Sequence, residues 1–388
     1  MVPLEPRGAV KEDRRVFQER LRFVSSSLPR CSESGVDALV LVCQDGVGWE
    51  DIYYLTGFPG TSGVLVITRD DSLLFVDPRY IEMAGETCCR GLAPRATRER
   101  QASPLRAALD CLSRRGARAV GYNRRRIGHC AYAEMAGAFA GGARLVDLSS
   151  LLVGMRRRKS ASEEAHIRDA VRIASEAFLE TLSESSAGMS ERDFACLMEY
   201  WMRAKGEDFA NPLPIMVSSG ERTAMPHAVP SDRRFDWGDL VMVDFCARSG
   251  GYVCDITRMF SVGEPSGETL SLYSLVRWAQ AEAASLIAPG RLACELDLAS
   301  RGVMAGAGLG DFFTHGVGHG FGLSVHEMPS ISDSARYPLA EGDAITLEPG
   351  FYRPGWGGMR VEDDYLVTAS GGVCLTGALS GELRVIER

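Results

Sequence analysis

The residues best suited to chemistry lie between positions 244 and 362. Four are acidic and one is a histidine between two glycines: Asp244, Asp255, His319, Glu348 and Glu362. Carboxylate oxygens and imidazole nitrogens are the usual protein ligands of catalytic divalent cations. Taken alone, each residue has a simpler explanation as a turn cap, a solvated acid or a surface histidine. Because several independent local signals agree, we predict that the five residues form one metal site.

Turn chemistry predicts that the first two acids face each other. The stretch Gly238–Arg258 is typical of two strands, and Ser249-Gly250 is predicted to form the tight turn because glycine readily takes a positive φ. That turn places Asp244 directly opposite Asp255, with Cβ atoms roughly 5 Å apart. Two ionised carboxylates at this distance repel each other unless they share a proton or hold a divalent ion.

The later acids repeat the arrangement, because Glu348 and Glu362 are equidistant from Gly355 in a turn-forming stretch. His319 lies in Gly318-His-Gly320, where small neighbours leave the imidazole accessible. Four ionised carboxylates are balanced by two divalent ions, so we predict two metals rather than one. A single nitrogen among oxygen ligands favours Mn²⁺ or Co²⁺, with Fe²⁺ and Zn²⁺ as further candidates.

The elements around these residues predict two domains, residues 1–155 and 156–388. In the first, strands are predicted at 36–43, 63–68, 72–77, 118–122 and 144–147, and helices at 12–30, 104–115 and 130–140. Arg69–Asp71 is predicted to form a hairpin turn between two of the strands. Alternating strands and helices indicate an α/β domain with a mixed sheet.

The second domain is predicted to be α+β, with helices covering an antiparallel sheet from Leu240 onward. Its entry, Met155–Lys159, is interpreted as a solvated basic linker. Ser160 and Glu163 form a capping-box pattern. The helix that follows carries a buried stripe: Ile167, Ala170, Val171, Ala174 and Phe178. Further helices are predicted from Ser190 to Gly206, at 269–287 and at 295–304.

Composition excludes several classes of function. The chain has 388 residues, 45% of them hydrophobic, and a net charge of −8, which argues against nucleic acid as a partner. The sequence contains no apolar run of membrane-spanning length and no signal-like start, so we expect a cytoplasmic protein. Its 11 cysteines include no Cys-x-x-Cys spacing and are predicted to be free thiols in a reducing compartment.

The motifs resemble the pita-bread metallopeptidases of family M24, which include methionine aminopeptidases, Xaa-Pro aminopeptidases, prolidases and the metal-free creatinases. In the first half, Thr56-Gly-Phe58 and Asp77-Pro-Arg79-Tyr80 look like the creatinase/prolidase amino-terminal domain. In the second half, five segments look like the Xaa-Pro branch: 217–220, 225–227, 255–258, 315–320 and 325–327. The resemblance covers nearly the whole chain, so it implies that domain followed by a catalytic pita-bread domain.

The resemblance assigns roles residue by residue. It implies that the five residues above are the metal ligands, that His227 and His326 contact substrate and stabilise the tetrahedral intermediate, and that Arg360 is an active-site arginine. We expect Glu348 to be the general acid/base as well. One position departs from the family: Cys246 stands where relatives usually have glycine. We expect this larger side chain to make the metal site less tolerant of structural change, and we do not expect it to abolish activity.

The implied activity is a metal-dependent exopeptidase that cuts the Xaa-Pro bond of peptides or dipeptides, with hydroxide formed from a water bridging two metals. A homodimer and a proline-containing peptide substrate are implied with it. The additional amino-terminal domain argues against a methionine aminopeptidase. A creatinase-like amidinohydrolase and a non-catalytic binding module remain as alternatives. Both are disfavoured because carboxylates retained without metal would only repel each other.

Overall fold

The structure is a computed structural model that describes residues 14–33, 35–89, 92–96, 103–208 and 213–387. The chain divides into two compact units, with the boundary between Met155 and Arg156. Helix α6 (Ser149–Arg157) contains this boundary. No helix in the described ranges is long and apolar enough to cross a membrane.

The first unit is built on a six-stranded mixed sheet in the order β4-β3-β2-β1-β5-β6. Strand β1 pairs antiparallel with β2 and parallel with β5. The strands are β1 (Ala38–Cys43), β2 (Gly63–Thr68), β3 (Ser72–Val76), β4 (Ala93–Ala96), β5 (Ala119–Tyr122) and β6 (Arg144–Asp147). The helices are α1 (Arg14–Ser27), α2 (Trp49–Thr56), α3 (Ile81–Thr87), α4 (Pro104–Arg114) and α5 (His129–Ala138), and 3₁₀ turns lie at Leu28–Arg30 and Pro78–Tyr80.

This unit confirms the predicted α/β domain with a mixed sheet. All six residues of β1 are buried, so both faces of the strand are covered, as its unbroken apolar sequence predicts. The hairpin turn before Ser72 is also confirmed, because the Thr68 N–H donates to the carbonyl oxygen of Asp71 (2.8 Å) and β2 pairs antiparallel with β3.

The second unit contains two larger sheets and two hairpins. One sheet has the order β19-β11-β8-β7 and includes a single parallel pair, β11 with β19, while the sheet β13-β12-β14-β17-β18 is antiparallel. The first strands are β7 (Met216–Ser219), β8 (Leu240–Phe245), β9 (Arg248–Ser249), β10 (Tyr252–Val253), β11 (Ile256–Val262) and β12 (Gly318–Gly320). They are followed by β13 (Glu327–Ile331), β14 (Ala344–Leu347), β15 (Gly350–Arg353), β16 (Gly357–Arg360), β17 (Asp363–Thr368), β18 (Gly371–Cys374) and β19 (Arg384–Ile386).

Four helices accompany these sheets: α7 (Ala161–Ser183), α8 (Glu191–Lys205), α9 (Gly267–Ser285) and α10 (Ala293–Gly306), with 3₁₀ turns at Gly220–Ala224 and Gly310–Phe312. Helix α7 begins with the predicted capping box, and its predicted stripe is buried. Phe178 stacks on Phe245 at 5.3 Å between ring centroids, so this stripe supports the strand that carries Asp244. Helix α8 begins at the predicted Ser190 cap and ends at Gly206.

The interpretation of Met155–Lys159 as a solvated linker is wrong for most of the run. Arg156 pairs with Glu327, and the Lys159 side chain is 1% exposed. The Nε of Arg157 donates to Asp343 Oδ1 (2.8 Å). Arg158 is exposed. The acidic partners lie far along the chain, so local composition could not indicate that these basic side chains are buried.

The predicted register of the first acid pair is also wrong. Strands β8 and β11 pair Asp244 with Thr257 instead of Asp255. The turn is Gly250–Gly251, with φ of 55° and 81°, one residue later than predicted. A turn moved by one residue shifts the register by two, which leaves each side chain on its own face of the hairpin. Both aspartates therefore still point to the same face.

Candidate active site

Asp255 is held from three directions. Its main-chain N–H donates to Asp364 Oδ2 (3.1 Å), and its Oδ1 accepts from Cys246 Sγ (3.2 Å). Its Oδ2 lies 3.6 Å from Nε2 of His319. One carboxylate oxygen is thus fixed by the hairpin while the other faces the imidazole.

His319 lies on the short strand β12, and its main-chain N–H donates to Thr346 Oγ1 (3.2 Å). Its Nδ1 faces the carbonyl oxygen of Gly320 at 3.2 Å, so Nδ1 carries the proton and Nε2 has a free lone pair. Besides Asp255, Nε2 lies 3.5 Å from Glu348 Oε1. Burial, followed by the nearby His326, lowers the pKa of His319 to about 3, so the ring is neutral.

The two glutamates arrive from the open end of the β15–β16 hairpin, whose ladder is centred on Gly355 as predicted. The Glu348 N–H donates to the carbonyl oxygen of Val317 (2.7 Å). The Oε2 of Glu362 accepts from Thr257 Oγ1 (2.9 Å). Ligand atoms of Asp255, His319 and Glu362 all lie within 4.8 Å of one another.

The residues present fit a divalent-metal site. The Nε2 lone pair and the surrounding carboxylate oxygens are all acceptors, so no hydrogen bond forms among them unless a proton is added, whereas a metal cation could be coordinated by all of them. Burial raises the pKa of Glu348 to about 8, despite the neighbouring Arg360. Burial and then Asp255 raise the pKa of Glu362 well above its usual value. A divalent cation would relieve this crowding of buried acids.

Asp244 is supported by Arg360. Its Oδ2 accepts from Arg360 Nη2 (2.6 Å), and the arginine is buried. Arg360 also donates from Nε to Thr257 Oγ1 (3.0 Å) and from Nη1 to Tyr352 Oη (2.9 Å). The planar guanidinium therefore ties the first acid to two further strands.

Tyr352 and Thr257 were missed by sequence reasoning. Tyr352 Oη accepts from Arg360 and donates to Nε2 of His315 (2.9 Å), whose Nδ1 faces the carbonyl oxygen of Gly316. Burial raises the pKa of Tyr352 to about 12 and lowers that of His315 to about 4. Period-two alternation could have indicated Thr257, which lies two residues after Asp255 on the same face. No comparable sequence pattern indicates Tyr352.

The two predicted substrate-contacting histidines, His227 and His326, are both exposed to solvent. The ring of His326 is 4.3 Å from that of His319, centroid to centroid. Burial, and then His227, lowers the pKa of His326. His227 is exposed and lines a cavity with Met225 and Val229.

Comparison with known proteins agrees with this architecture. Residues 165–369 match the model of metallopeptidase family M24, and residues 27–158 match the creatinase/prolidase N-terminal domain. The chain belongs to metallopeptidase family M24. This M24 protein is therefore a peptidase, and its family implies divalent metal ions. The mixed sheet followed by the pita-bread unit is the fold predicted from sequence.

Individual relatives resemble this M24 peptidase over most of its length. The uncharacterized peptidase YqhT of Bacillus subtilis (strain 168) is 34% identical over 342 residues, which span 88% of this chain and 94% of that protein. The Xaa-Pro dipeptidase of Pyrococcus horikoshii is 40% identical over 222 residues, 57% of this chain and 63% of that protein.

Two solved structures have the same fold. The X-Pro aminopeptidase from Thermotoga maritima MSB8 superposes with a TM-score of 0.84 and 31% identity, covering 90% of this chain and 98% of that one. The prolidase from Pyrococcus horikoshii OT3 also has a TM-score of 0.84 and 31% identity, covering 95% and 100%.

Proposed function

We propose that this M24 peptidase is an exopeptidase that hydrolyses the Xaa-Pro bond at the free amino terminus of a peptide or in a dipeptide. The proposal rests on one observation: Nε2 of the neutral His319 ring lies 3.6 Å from Asp255 Oδ2 and 3.5 Å from Glu348 Oε1. The relatives named Xaa-Pro dipeptidase, prolidase and X-Pro aminopeptidase support this substrate class.

The proposal includes two divalent ions, Mn²⁺ or Co²⁺, with Zn²⁺ and Fe²⁺ as alternatives. The residues that would hold them are Asp244, Asp255, His319, Glu348 and Glu362. One nitrogen among carboxylate oxygens suits these ions. When bound, divalent ions lower the pKa of a water molecule and polarise the scissile carbonyl.

The remaining chemistry belongs to the chain's own side chains. Glu348 accepts a proton from the attacking water and passes it to the leaving nitrogen. His326, which packs against His319, and the exposed His227 donate hydrogen bonds to the carbonyl oxygen as it gains negative charge. Each such donor is worth about 3 kcal/mol of barrier. Arg360 holds Asp244 in place through its 2.6 Å hydrogen bond.

A proline leaving group suits a dedicated site. Its ring lacks an amide hydrogen and fixes φ, so a shaped apolar pocket gains from its rigidity. Met225 and Val229, both exposed, line a cavity together with His227 and offer an apolar surface for such a ring. A homodimer in the cytoplasm belongs to the same proposal, and light scattering on the purified protein tests its assembly.

The test measures release of the first residue from a Xaa-Pro dipeptide and a Xaa-Pro-Yaa tripeptide, using chelator-stripped protein with Mn²⁺, Co²⁺ or Zn²⁺ added back. We expect metal-dependent release that Glu348→Ala abolishes and that Glu341→Ala, at an exposed position nearby, leaves unchanged. Release from both substrates identifies an aminopeptidase, and release from the dipeptide alone identifies a prolidase.

Two results would overturn this proposal. Folded protein that releases nothing with any metal favours the non-catalytic binding module. Hydrolysis that persists fully after chelation favours the metal-free chemistry of the creatinase alternative.

A further inference from the structure

A buried cluster of charged side chains includes Glu327, the residue that follows His326 in the chain. The Glu327 side chain is 6% exposed. Its Oε1 accepts from the main-chain N–H of Ser324 (2.9 Å) and from Arg156 Nη2. Its Oε2 lies 3.9 Å from Lys159 Nζ. Two cations from the start of the second unit therefore converge on one carboxylate.

Lys159 is the unusual member of this cluster. Its side chain is 1% exposed, and Nζ has no hydrogen-bond acceptor among the described residues. Its main-chain N–H is fixed by the carbonyl oxygen of Gly342 (2.9 Å). Burying an ammonium group without an acceptor is costly, and burial lowers the pKa of Lys159. Apolar residues of similar volume often stabilise a protein as well as a buried ion pair does, or better, so stability alone does not account for the cluster.

The space for the cluster depends on Gly322. A Cβ at this residue would lie 3.1 Å from Glu327 Oε2 and 3.2 Å from Lys159 Cε. The carbonyl oxygen of Gly322 accepts from the Val253 N–H (2.8 Å), which ties the loop to the hairpin after Asp244. The loop and its charges are thus packed as one piece.

The cluster is directly connected to the active site through the backbone. Strand β12 carries His319, and its next residue, Gly320, pairs with Glu327. The segment between them forms the loop that ends in His326. Fixing the Glu327 carboxylate therefore fixes the main chain beside the imidazole that packs against His319.

We propose that Arg156, Lys159 and Glu327 are positioning residues for His326. They hold the loop so that the imidazole is in place before substrate arrives, which lowers the cost of ordering it in the transition state. The proposal rests on the role of His326 given under the proposed function. None of the three residues needs to contact substrate.

The kinetic test compares Lys159→Met and Glu327→Gln with the matched control Arg158→Met, whose side chain is exposed in the same basic run. We expect kcat/KM for a Xaa-Pro peptide to fall about tenfold or more in the first two and to stay unchanged in the control. Because the residues act through His326, adding Lys159→Met to His326→Ala should not lower kcat/KM any further. Metal content measured by mass spectrometry should be unchanged.

A purely structural role predicts the opposite pattern. The loss caused by Lys159→Met would then persist in the His326→Ala background, and it would follow the drop in thermal stability. Either result overturns the proposal. If Lys159→Met does not fold, the isosteric Glu327→Gln is compared in the same way, alone and combined with His326→Ala.

A crystal structure of Glu327→Gln separates this proposal from the proposed function. We expect the His326 ring to leave its position 4.3 Å from the His319 ring. An unchanged ring position overturns the positioning role even if the wild-type protein is active. A displaced ring in a protein that cleaves no Xaa-Pro peptide supports positioning and rejects the proposed substrate instead.

Discussion

Cys246 places its Sγ 3.2 Å from Oδ1 of Asp255, directly across the hairpin. The register that pairs Asp244 with Thr257 also brings residue 246 opposite residue 255. A glycine, which the family resemblance predicts at this position, would leave that carboxylate oxygen without its thiol donor. The departure from the family pattern therefore lies in the support of a proposed metal ligand.

Replacing this thiol should weaken metal binding. Cys246→Ala removes the donor that orients Asp255, and loss of such a partner typically costs about 10- to 100-fold in metal affinity. We expect a loss of about tenfold for Mn²⁺, measured by titration calorimetry on metal-stripped protein. Cys246→Ser keeps a donor and should retain most of the affinity.

The neighbouring Cys254 supplies the matched control. It is also buried, but its Sγ contacts the main chain of Ala247 instead of a carboxylate. Cys254→Ala should leave Mn²⁺ affinity within about twofold of the wild type. An equal loss in both alanine variants would mean that packing of the hairpin, and not the thiol donor, sets the affinity.

Much of the site could be predicted because its signals are local. The Pro354-Gly355 turn fixed the register of one hairpin, and His319 was marked by its flanking glycines. The first hairpin offered several adjacent turn residues, Ser249, Gly250 and Gly251, and local chemistry could not choose among them. The predicted register of this hairpin was wrong by two residues, an even number, so the two aspartates stayed on the same face of the hairpin.

The rest depends on contacts between distant parts of the chain. The basic run at Arg156 has its partner at Glu327, 171 residues later, and charge composition alone favours solvent for such a run. Tyr352 similarly gains its role only when Arg360 and His315 are folded around it. A lone tyrosine on a strand predicts packing, so its hydrogen bonds could not be derived before the tertiary structure.

Arg360→Met should destabilise the protein strongly. The change leaves Asp244, whose side chain is 12% exposed, without its 2.6 Å partner, and breaking a largely buried ion pair from one side costs about 3–5 kcal/mol of unfolding free energy. Urea denaturation at neutral pH measures the difference. Arg277→Met removes an exposed partner of Glu382 and should cost less than about 1 kcal/mol. Similar costs for both variants would contradict the buried support assigned to Arg360.

Divalent ions should stabilise the folded chain. An ion that binds only the folded state adds about 2.7 kcal/mol when its concentration is 100 times its dissociation constant. Mn²⁺ should therefore raise the melting temperature of chelator-treated protein, and Glu362→Gln should remove most of that rise because it removes a negative charge from the donor set. A rise of equal size in the variant would show that Mn²⁺ stabilises the protein from elsewhere.

Glu207 should make stability depend on pH. Its Oε1 has no hydrogen-bond donor among the described residues, and its Oε2 lies 3.6 Å from Arg203 Nε. Burial raises the pKa of Glu207 from 4.5 to about 7, although Arg203 opposes this shift. The folded state thus binds more protons than the unfolded state between pH 4.5 and 7, so the unfolding free energy falls as pH rises through this window. Allowing for solvent screening, the loss is about 1–2 kcal/mol.

Urea titrations across that window can isolate this contribution by comparing wild type with Glu207→Gln. The neutral amide cannot ionise, so the variant should lose about 1–2 kcal/mol less than wild type between pH 4.5 and 7. Glu199→Gln, at an exposed position of helix α8, which ends just before Glu207, should keep the wild-type slope. If Glu207→Gln keeps that slope too, the pKa of Glu207 is not raised in the folded protein, and its burial does not govern its proton.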